Sequence, residues 1–172
     1  MELLFRQATT DDIPQIWEIL KGAIQRRKEA GSRQWQDGYP NQEVVTADID
    51  KKAGFVLMDS TTVIGYCAIF INDEPVYATI KGTWLTDGSF IAYHRVAISD
   101  KYLGKGLAQL MLTHIEGYAL ENDIKSVRAD TNYDNPIMLK LFEKLGYNYC
   151  GEVIFRGGTR KAFEKVLDVQ AQ

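Results

Sequence analysis

Cysteine is nearly missing: 172 residues carry only Cys67 and Cys150, both in strand-like runs. A disulfide-stapled scaffold is excluded, and the pair reads as two buried thiols rather than a redox or metal site. No stretch approaches the roughly 18 uninterrupted apolar residues of a membrane span. Met1 to Thr10 also lacks the apolar core of a secretory leader, so the chain is expected in the cytoplasm. An excess of one charge is absent too, since 20 Lys and Arg against 23 Asp and Glu leave a net of −3. That gives no broad basic field for nucleic acid or an anionic membrane. The phosphate-loop pattern GxxxxGK[ST] is not present, because Ser99 stands where its first glycine would be, and neither is GxGxxG. There is no repeat, linker or low-complexity tract, so residues 1–172 read as a single domain. A chain of this size buries about 70% of its unfolded surface, without help from a metal or disulfide.

What is present centres on Ile91 to Leu112. Ile91 to Ile98 is rich in β-branched and aromatic residues and predicts a buried strand. Leu107, Leu110, Met111 and Ile115 recur at steps of three and four, which predicts one face of a helix. Between them, Leu103-Gly104-Lys105-Gly106-Leu107-Ala108 can turn tightly and offers several backbone N–H groups at the helix start. Those donors and the positive end of the helix dipole suit an anion such as a pyrophosphate, although a plain strand-to-helix turn would use the same residues.

A second block, Asp134-Asn135-Pro136-Ile137-Met138-Leu139-Lys140-Leu141-Phe142-Glu143-Lys144-Leu145-Gly146-Tyr147, carries a cap residue, proline at the first helical position, an apolar stripe and a terminal glycine. The first block resembles the signature Q/R-x-x-G-x-G/A of the GNAT family of N-acetyltransferases, with Gly106 and Ala108 on the small-residue positions and Leu103 on the usual Gln or Arg. The second is similar to that family's N-x(6)-[YF]-E-K-x-G-[FY]. The two motifs and their strands span roughly residues 89 to 156. The resemblance implies an α/β fold with one mixed sheet of six to seven strands, helices on both faces, and a possible homodimer. It also implies acetyl-CoA as co-substrate, with no metal, held by Val96, Ala97, Ile98, Leu103, Gly104, Lys105, Gly106, Leu107, Ala108, Gln109, Asn135 and Phe142. Capping its helix would by itself explain Asn135.

In chain order, Glu2 to Ala8 predicts a strand, and Thr10-Asp11-Asp12 a helix start. Ile13, Ile16, Trp17, Leu20 and Ile24 mark that helix's apolar face, with Gly31 ending it. The Arg26-Arg27-Lys28 run reads as a solvated face or a cofactor patch. Trp35 and Tyr39 follow in a polar segment; the resemblance makes them acceptor-pocket candidates, while anchoring of the loop explains them equally well. Asn41 to Lys52 predicts a second helix, and Gly54 to Met58 with Thr62 to Ile71 a hairpin. Asn72 to Gly88, carrying Glu74-Pro75-Val76-Tyr77 and Trp84, reads as strand extension or as a loop over the active site. Tyr77 and Trp84 could pack there or against a second subunit, and Trp84 is a further acceptor candidate. Lys125 to Thr131 predicts a strand with Arg128 and Asp130 on one side. Tyr147 to Phe155 and Ala162 to Val169 predict the closing hairpin, turning through Arg156-Gly157-Gly158-Thr159-Arg160.

Acetyl transfer to an amine needs a group to take a proton, because an alkyl amine of pKa near 10.4 is under about one part in a thousand free base at neutral pH. Asp130 is the first candidate base, five residues before Asn135, where the resembled family places a glutamate; a salt bridge to Arg128 or Arg95 is the plain alternative. His94 is the second, and His114 reads as structural or exposed. Another base position of the family falls near Ala92 and is vacant. Phe142 departs from the family's tyrosine and has no proton for a leaving thiolate. Tyr133, Thr131, Tyr147 or water could supply one; an unprotonated departure costs only about 2 kcal/mol at pH 7 for a thiol of pKa near 8.5. The resemblance therefore implies an acetyl-CoA-dependent N-acetyltransferase acting on a primary amine of a small molecule or peptide. The alternative is a catalytically weak acyl-CoA-binding sensor or regulatory module of the same fold.

Overall fold

The computed structural model describes residues 1–155 and 158–167. Its strands are β1 (Leu3–Gln7), β2 (Gly54–Asp59), β3 (Thr62–Ile71), β4 (Lys81–Gly82), β5 (Ile91–Ile98), β6 (Ser126–Asn132), β7 (Asn148–Phe155) and β8 (Gly158–Val166). Its helices are α1 (Ile13–Glu29), α2 (Gln42–Asp50), α3 (Leu107–Glu121) and α4 (Pro136–Lys144). The strands form one mixed sheet in the order β1-β2-β3-β5-β6-β8-β7-β4. Pairing is antiparallel in β1/β2, β2/β3, β6/β8, β7/β8 and β4/β7, and parallel between β5 and β6 through Ile91↔Val127 and Ala92↔Arg128. Arg156, Gly157, Asp168 and Val169, assigned above to the closing hairpin, lie outside the described residues.

The sheet has eight strands where the sequence predicts six to seven. The extra one, β4, is two residues long and pairs Lys81↔Glu152 and Gly82↔Gly151. Two residues display no period, so nothing local announces it. Both glycines are obligatory there: a Cβ on Gly82 would lie 2.1 Å from the Cys150 carbonyl oxygen, and one on Gly151 would lie 2.3 Å from that of Lys81.

The chain groups into two compact units. One comprises Met1–Ile69 with Arg95–His114; the other comprises Phe70–His94 with the described residues from Ile115 onward. In the first, the predicted α1 face holds: Ile16 and Leu20 are fully buried, joined by Ile19 and Ala23, while Ile13, Trp17 and Ile24 pack at the margin. Each fully buried aliphatic side chain contributes about 1.5–3 kcal/mol. The basic run that follows is not simply solvated. Arg26 donates to the Ile98 carbonyl at 3.1 Å and pairs with Asp100, and Arg27 lies 3.7 Å over the Trp35 ring. Burial, with Arg26 adjacent, lowers the Arg27 guanidinium to about 10.

A polar knot sits in this unit's core. Asp48 of α2 accepts from Arg95 Nε at 2.9 Å, Arg95 Nη2 at 2.6 Å and the Tyr66 hydroxyl at 2.6 Å. Arg95 also donates to the Tyr39 hydroxyl. Its backbone has φ of +59° in the middle of β5, a left-handed geometry that side-chain-bearing residues rarely adopt. Removing the carboxylate would leave a guanidinium buried without its charge partner. Asp48→Ala is therefore expected to lose about 3–5 kcal/mol of stability in urea denaturation, and a loss below about 1 kcal/mol would show that the pair contributes little.

Candidate active site

In the first unit, β5 leads through a 3-10 turn at Asp100–Tyr102 into the glycine loop and α3. Gly104 and Gly106 have φ of +77° and +73°, and a Cβ on either would meet open space. Conformation, not crowding, demands glycine here. The first helical bond recorded for α3 runs from Leu110 N–H to the Gly106 carbonyl, so the N–H groups of Leu107, Ala108 and Gln109 precede the helix's own ladder. That donor set suits a polyanion. Leu103, Gly104, Lys105 and Gly106 are exposed, Leu107 is buried, and Ala108 and Gln109 are half-buried. The exposed Leu103 side chain forms no part of this cradle, which is main chain. Val96, Ala97 and Ile98 are buried, and the Ile98 carbonyl is already engaged by Arg26.

In the second unit, His94 of β5, Asp130 of β6 and Arg160 of β8 come together under the segment between β3 and β5. His94 Nε2 lies 2.6 Å from Glu74 Oε2, and Nδ1 lies 3.7 Å from Asp130 Oδ2. Asp130 also accepts from the Tyr77 hydroxyl at 2.6 Å, and its Oδ1 is 3.5 Å from Arg160 Nη1. The side chains of His94, Glu74 and Arg160 are 12–13% exposed, and that of Asp130 is 1% exposed. Burial, then the Asp130 charge, raises the Tyr77 hydroxyl well above its usual range, so it stays a donor at neutral pH. The two base candidates are thus neighbours. The ion-pair partner of Asp130 is Arg160 and not Arg128 or Arg95, which serve Glu164 and Asp48.

The covering segment is fastened by a second cluster. Glu164 of β8, fully buried, accepts from Leu85 N–H at 2.6 Å, Thr86 Oγ1 at 2.5 Å and the Ser126 hydroxyl. Arg128 Nε lies 3.4 Å from Glu164, and Nη2 donates to the Thr86 carbonyl at 2.6 Å. The Arg128 guanidinium also stands 4.4 Å from the ring centres of both Trp84 and Phe90. A cavity of 590 Å³ opens beside it, lined by Glu74, Tyr77, Trp84, Phe90 and Arg128 among others. Trp84 donates from its indole to the Tyr77 carbonyl at 2.9 Å.

The remaining candidates divide. Trp35 is a buried core ring stacked with Arg27, and Tyr39 is half-buried against Arg95, so both anchor the first unit. Asn135 caps α4 by accepting from Met138 N–H at 3.3 Å. Phe142 is fully buried against Tyr147 and Phe163 at ring separations of 5.0 and 4.7 Å. Of the hydroxyls considered in its place, Tyr147 is buried and accepts from Tyr93 at 3.1 Å, Thr131 is buried, and Tyr133 is half exposed and bonded to Glu152. Both cysteine thiols are buried and pushed up by desolvation, which leaves little thiolate for nucleophilic chemistry. Glu74, Tyr77, Arg160 and Glu164 were not candidates from sequence. Of these, only Tyr77 was singled out, as an aromatic that could pack over the active site or against a second subunit.

The Acetyltransferase (GNAT) family model matches residues 15–147. The chain belongs to the GNAT acetyltransferase family. A GNAT-family acetyltransferase from Streptococcus agalactiae is 34% identical, with 96% of each chain covered and a TM-score of 0.87. A GNAT-family acetyltransferase from Listeria monocytogenes shares the fold at 19% identity, TM-score 0.72, with 96% of this chain and 95% of that one covered. A Salmonella typhimurium protein solved with its cofactor acetyl-CoA shares it at 17% identity, TM-score 0.67, over 100% and 98%. No curated protein matches the chain.

For this GNAT chain, the fastening of the covering segment has a pH signature. Burial pushes the Glu164 carboxyl up, but bonds from Ser126, Thr86 and Leu85 and the Arg128 charge more than offset it, leaving it below its usual value of 4.5. A depressed carboxylate stabilises above its unfolded pKa, and that contribution fades as pH falls through the folded value. Glu164→Gln should lose about 1.5–3 kcal/mol at pH 7. The gap from wild type should narrow in acid, as pH falls below the ordinary carboxylate value of 4.5 and through the lower folded one; a gap independent of pH would assign the loss to packing.

Proposed function

We propose that the protein is an acetyl-CoA-dependent N-acetyltransferase that moves an acetyl group to a primary amine of a small molecule or peptide. The observation that carries this is the pair of left-handed glycines, Gly104 and Gly106, opening α3 within a GNAT chain. The Salmonella relative's acetyl-CoA supports the choice of co-substrate. The NatC complex bound to Gag peptide and CoA, 11% identical with TM-score 0.69 and 98% of this chain and 100% of that one covered, supports keeping peptide amines among the acceptors.

Acetyl-CoA supplies an activated acyl carbon. The main chain of Gly104 to Gln109 would hold its pyrophosphate, with Val96 to Ile98 alongside the pantetheine. The side chain at 103 is dispensable to this role because backbone groups do the binding. His94 and Asp130 are the groups that would take the acceptor's proton. Phe142 has none to give, so water or an unassisted thiolate completes the exchange. Trp84, on the cavity wall, is the acceptor-side aromatic that fits best.

The second reading, an acyl-CoA-binding regulatory module, draws on Phe142 and Ala92, both fully buried among apolar neighbours. Thiol release from acetyl-CoA across a panel of amines separates the two: turnover with any amine supports the enzyme, and binding without turnover supports the module. Gly106→Glu should abolish acetyl-CoA binding in calorimetry, weakening it by roughly a hundredfold or more. The residue adds negative charge at the pyrophosphate position and a Cβ at positive φ, which costs about 1–2 kcal/mol by itself. Retained affinity would remove the loop from the cofactor site.

A further inference from the structure

We infer that Glu74 is a positioning residue for His94. Its carboxylate fixes the imidazole with Nε2–H aimed at itself and the Nδ1 lone pair aimed toward Asp130, so that His94 Nδ1 takes the acceptor amine's proton. The inference rests on the acetyltransferase reading above and deepens it.

A neutral imidazole has one N–H and one lone pair, and the better acceptor partner decides which nitrogen keeps the hydrogen. Glu74 Oε2 is 2.6 Å from Nε2, within a strong charge-assisted bond, whereas Asp130 Oδ2 is 3.7 Å from Nδ1, beyond one. The hydrogen therefore resides on Nε2. The Nδ1 lone pair then stands beside a carboxylate oxygen, and an incoming N–H would find two acceptors side by side. Asp130 is the less available of the two, since Oδ2 already accepts from Tyr77 and Oδ1 faces Arg160.

Several described residues surround the ring. Glu74 and Tyr77 reach it from the covering segment, Asp130 from β6 with Arg160 of β8 behind it, and Phe70 of β3 and Phe155 of β7 contribute apolar rings at 5.9 Å. In the transfer, one N–H bond of the acceptor ammonium breaks and one forms at Nδ1. The electron pair stays on the amine nitrogen for the attack. A C–N bond then forms as the C–S bond breaks, and the second N–H proton passes through water to the departing thiolate. The imidazolium, between two carboxylates, returns its Nδ1 proton to water, which restores the Nε2–H form. Ammonium and acetyl thioester thus become amide, thiol and one released proton.

The chain has two histidines, so imidazole nitrogen NMR reads His94 directly, with His94→Gln identifying its signals against His114. Neutral His94 is expected to carry its hydrogen on Nε2 in wild type and to become a mixture in Glu74→Ala. In Glu74→Gln, which removes the charge but keeps the size, kcat should fall roughly ten- to thousandfold with KM for acetyl-CoA within about twofold. Glu74→Asp, which keeps the charge, should recover part of that loss. A hydrogen on Nδ1 in wild type, or a Glu74→Gln kcat equal to that of an active wild type, would overturn the inference alone. A wild type inert with every amine would instead overturn the acetyltransferase reading and this role for His94 with it. The tautomer would still report the bond to Glu74.

Discussion

A left-handed residue in the middle of a central strand is an expensive feature, and Arg95 is one. The geometry costs about 1–2 kcal/mol for a residue with a Cβ. It persists because Asp48 and Tyr39 hold the side chain through a fork of short hydrogen bonds, with Tyr66 donating to Asp48 in turn. A break of this kind interrupts the regular ladder, and β5 pairs with β6 only at its start, through Ile91 and Ala92. It also falls at one of the three points where the chain passes from one compact unit to the other: His94 belongs to one and Arg95 to the other. The residues before the break carry titratable chemistry, and the residues after it lead to the glycine loop. One buried ion pair thus fixes the conformation of the strand from which both candidate functions start.

The second unit solves a different problem. Ser126, Arg128, Asp130, Arg160 and Glu164 give one face of β6 and β8 a polar surface that ordinary helix packing could not cover. The segment from Asn72 to Phe90 covers it with matching groups. Glu74 meets His94, Tyr77 meets Asp130, Thr86 meets Glu164, and Trp84 and Phe90 sandwich Arg128. Buried ion pairs of this sort add little net stability over well-packed hydrophobic residues, but breaking one is costly, so they specify a single arrangement. An apolar cover could have settled in several registers. This one must seat each donor on its acceptor.

That contrast explains what was legible in the sequence. The α1 face, the strand-loop-helix around Gly106 and the capped α4 depend on neighbours three or four residues away, and each formed as the periodicity and caps predicted. The α4 end follows the same local logic, with Tyr147 N–H reaching back to the Phe142 carbonyl at 2.9 Å. The polar clusters depend on partners 18 to 79 positions apart, such as Thr86 with Glu164 or Tyr77 with Asp130, and no period encodes them. Asp48 lies 47 positions from Arg95, and nothing in the short helix around it marks the pair. Trp35 looked like a loop aromatic until Arg27 was seen stacked on it. Asp130 was visible as a candidate through its place before Asn135, but Arg160 and Glu74 were not.

Charge arithmetic around His94 gives the cluster its direction. Two carboxylates, Glu74 and Asp130, face one guanidinium, Arg160, in a setting where the side chains are at most 13% exposed. At a separation of 4 Å and the effective dielectric of a partly buried site, a unit charge pair is worth about 4 kcal/mol, so two carboxylates beside the ring favour a cation there. In the proposed transfer the acceptor ammonium is that cation, and giving its proton to the imidazole leaves the charge in place while freeing the nitrogen's electron pair. The cluster therefore gains the same compensation before and after the proton moves. That is the condition for a proton to be taken from a cationic acceptor without first paying to bury an extra charge.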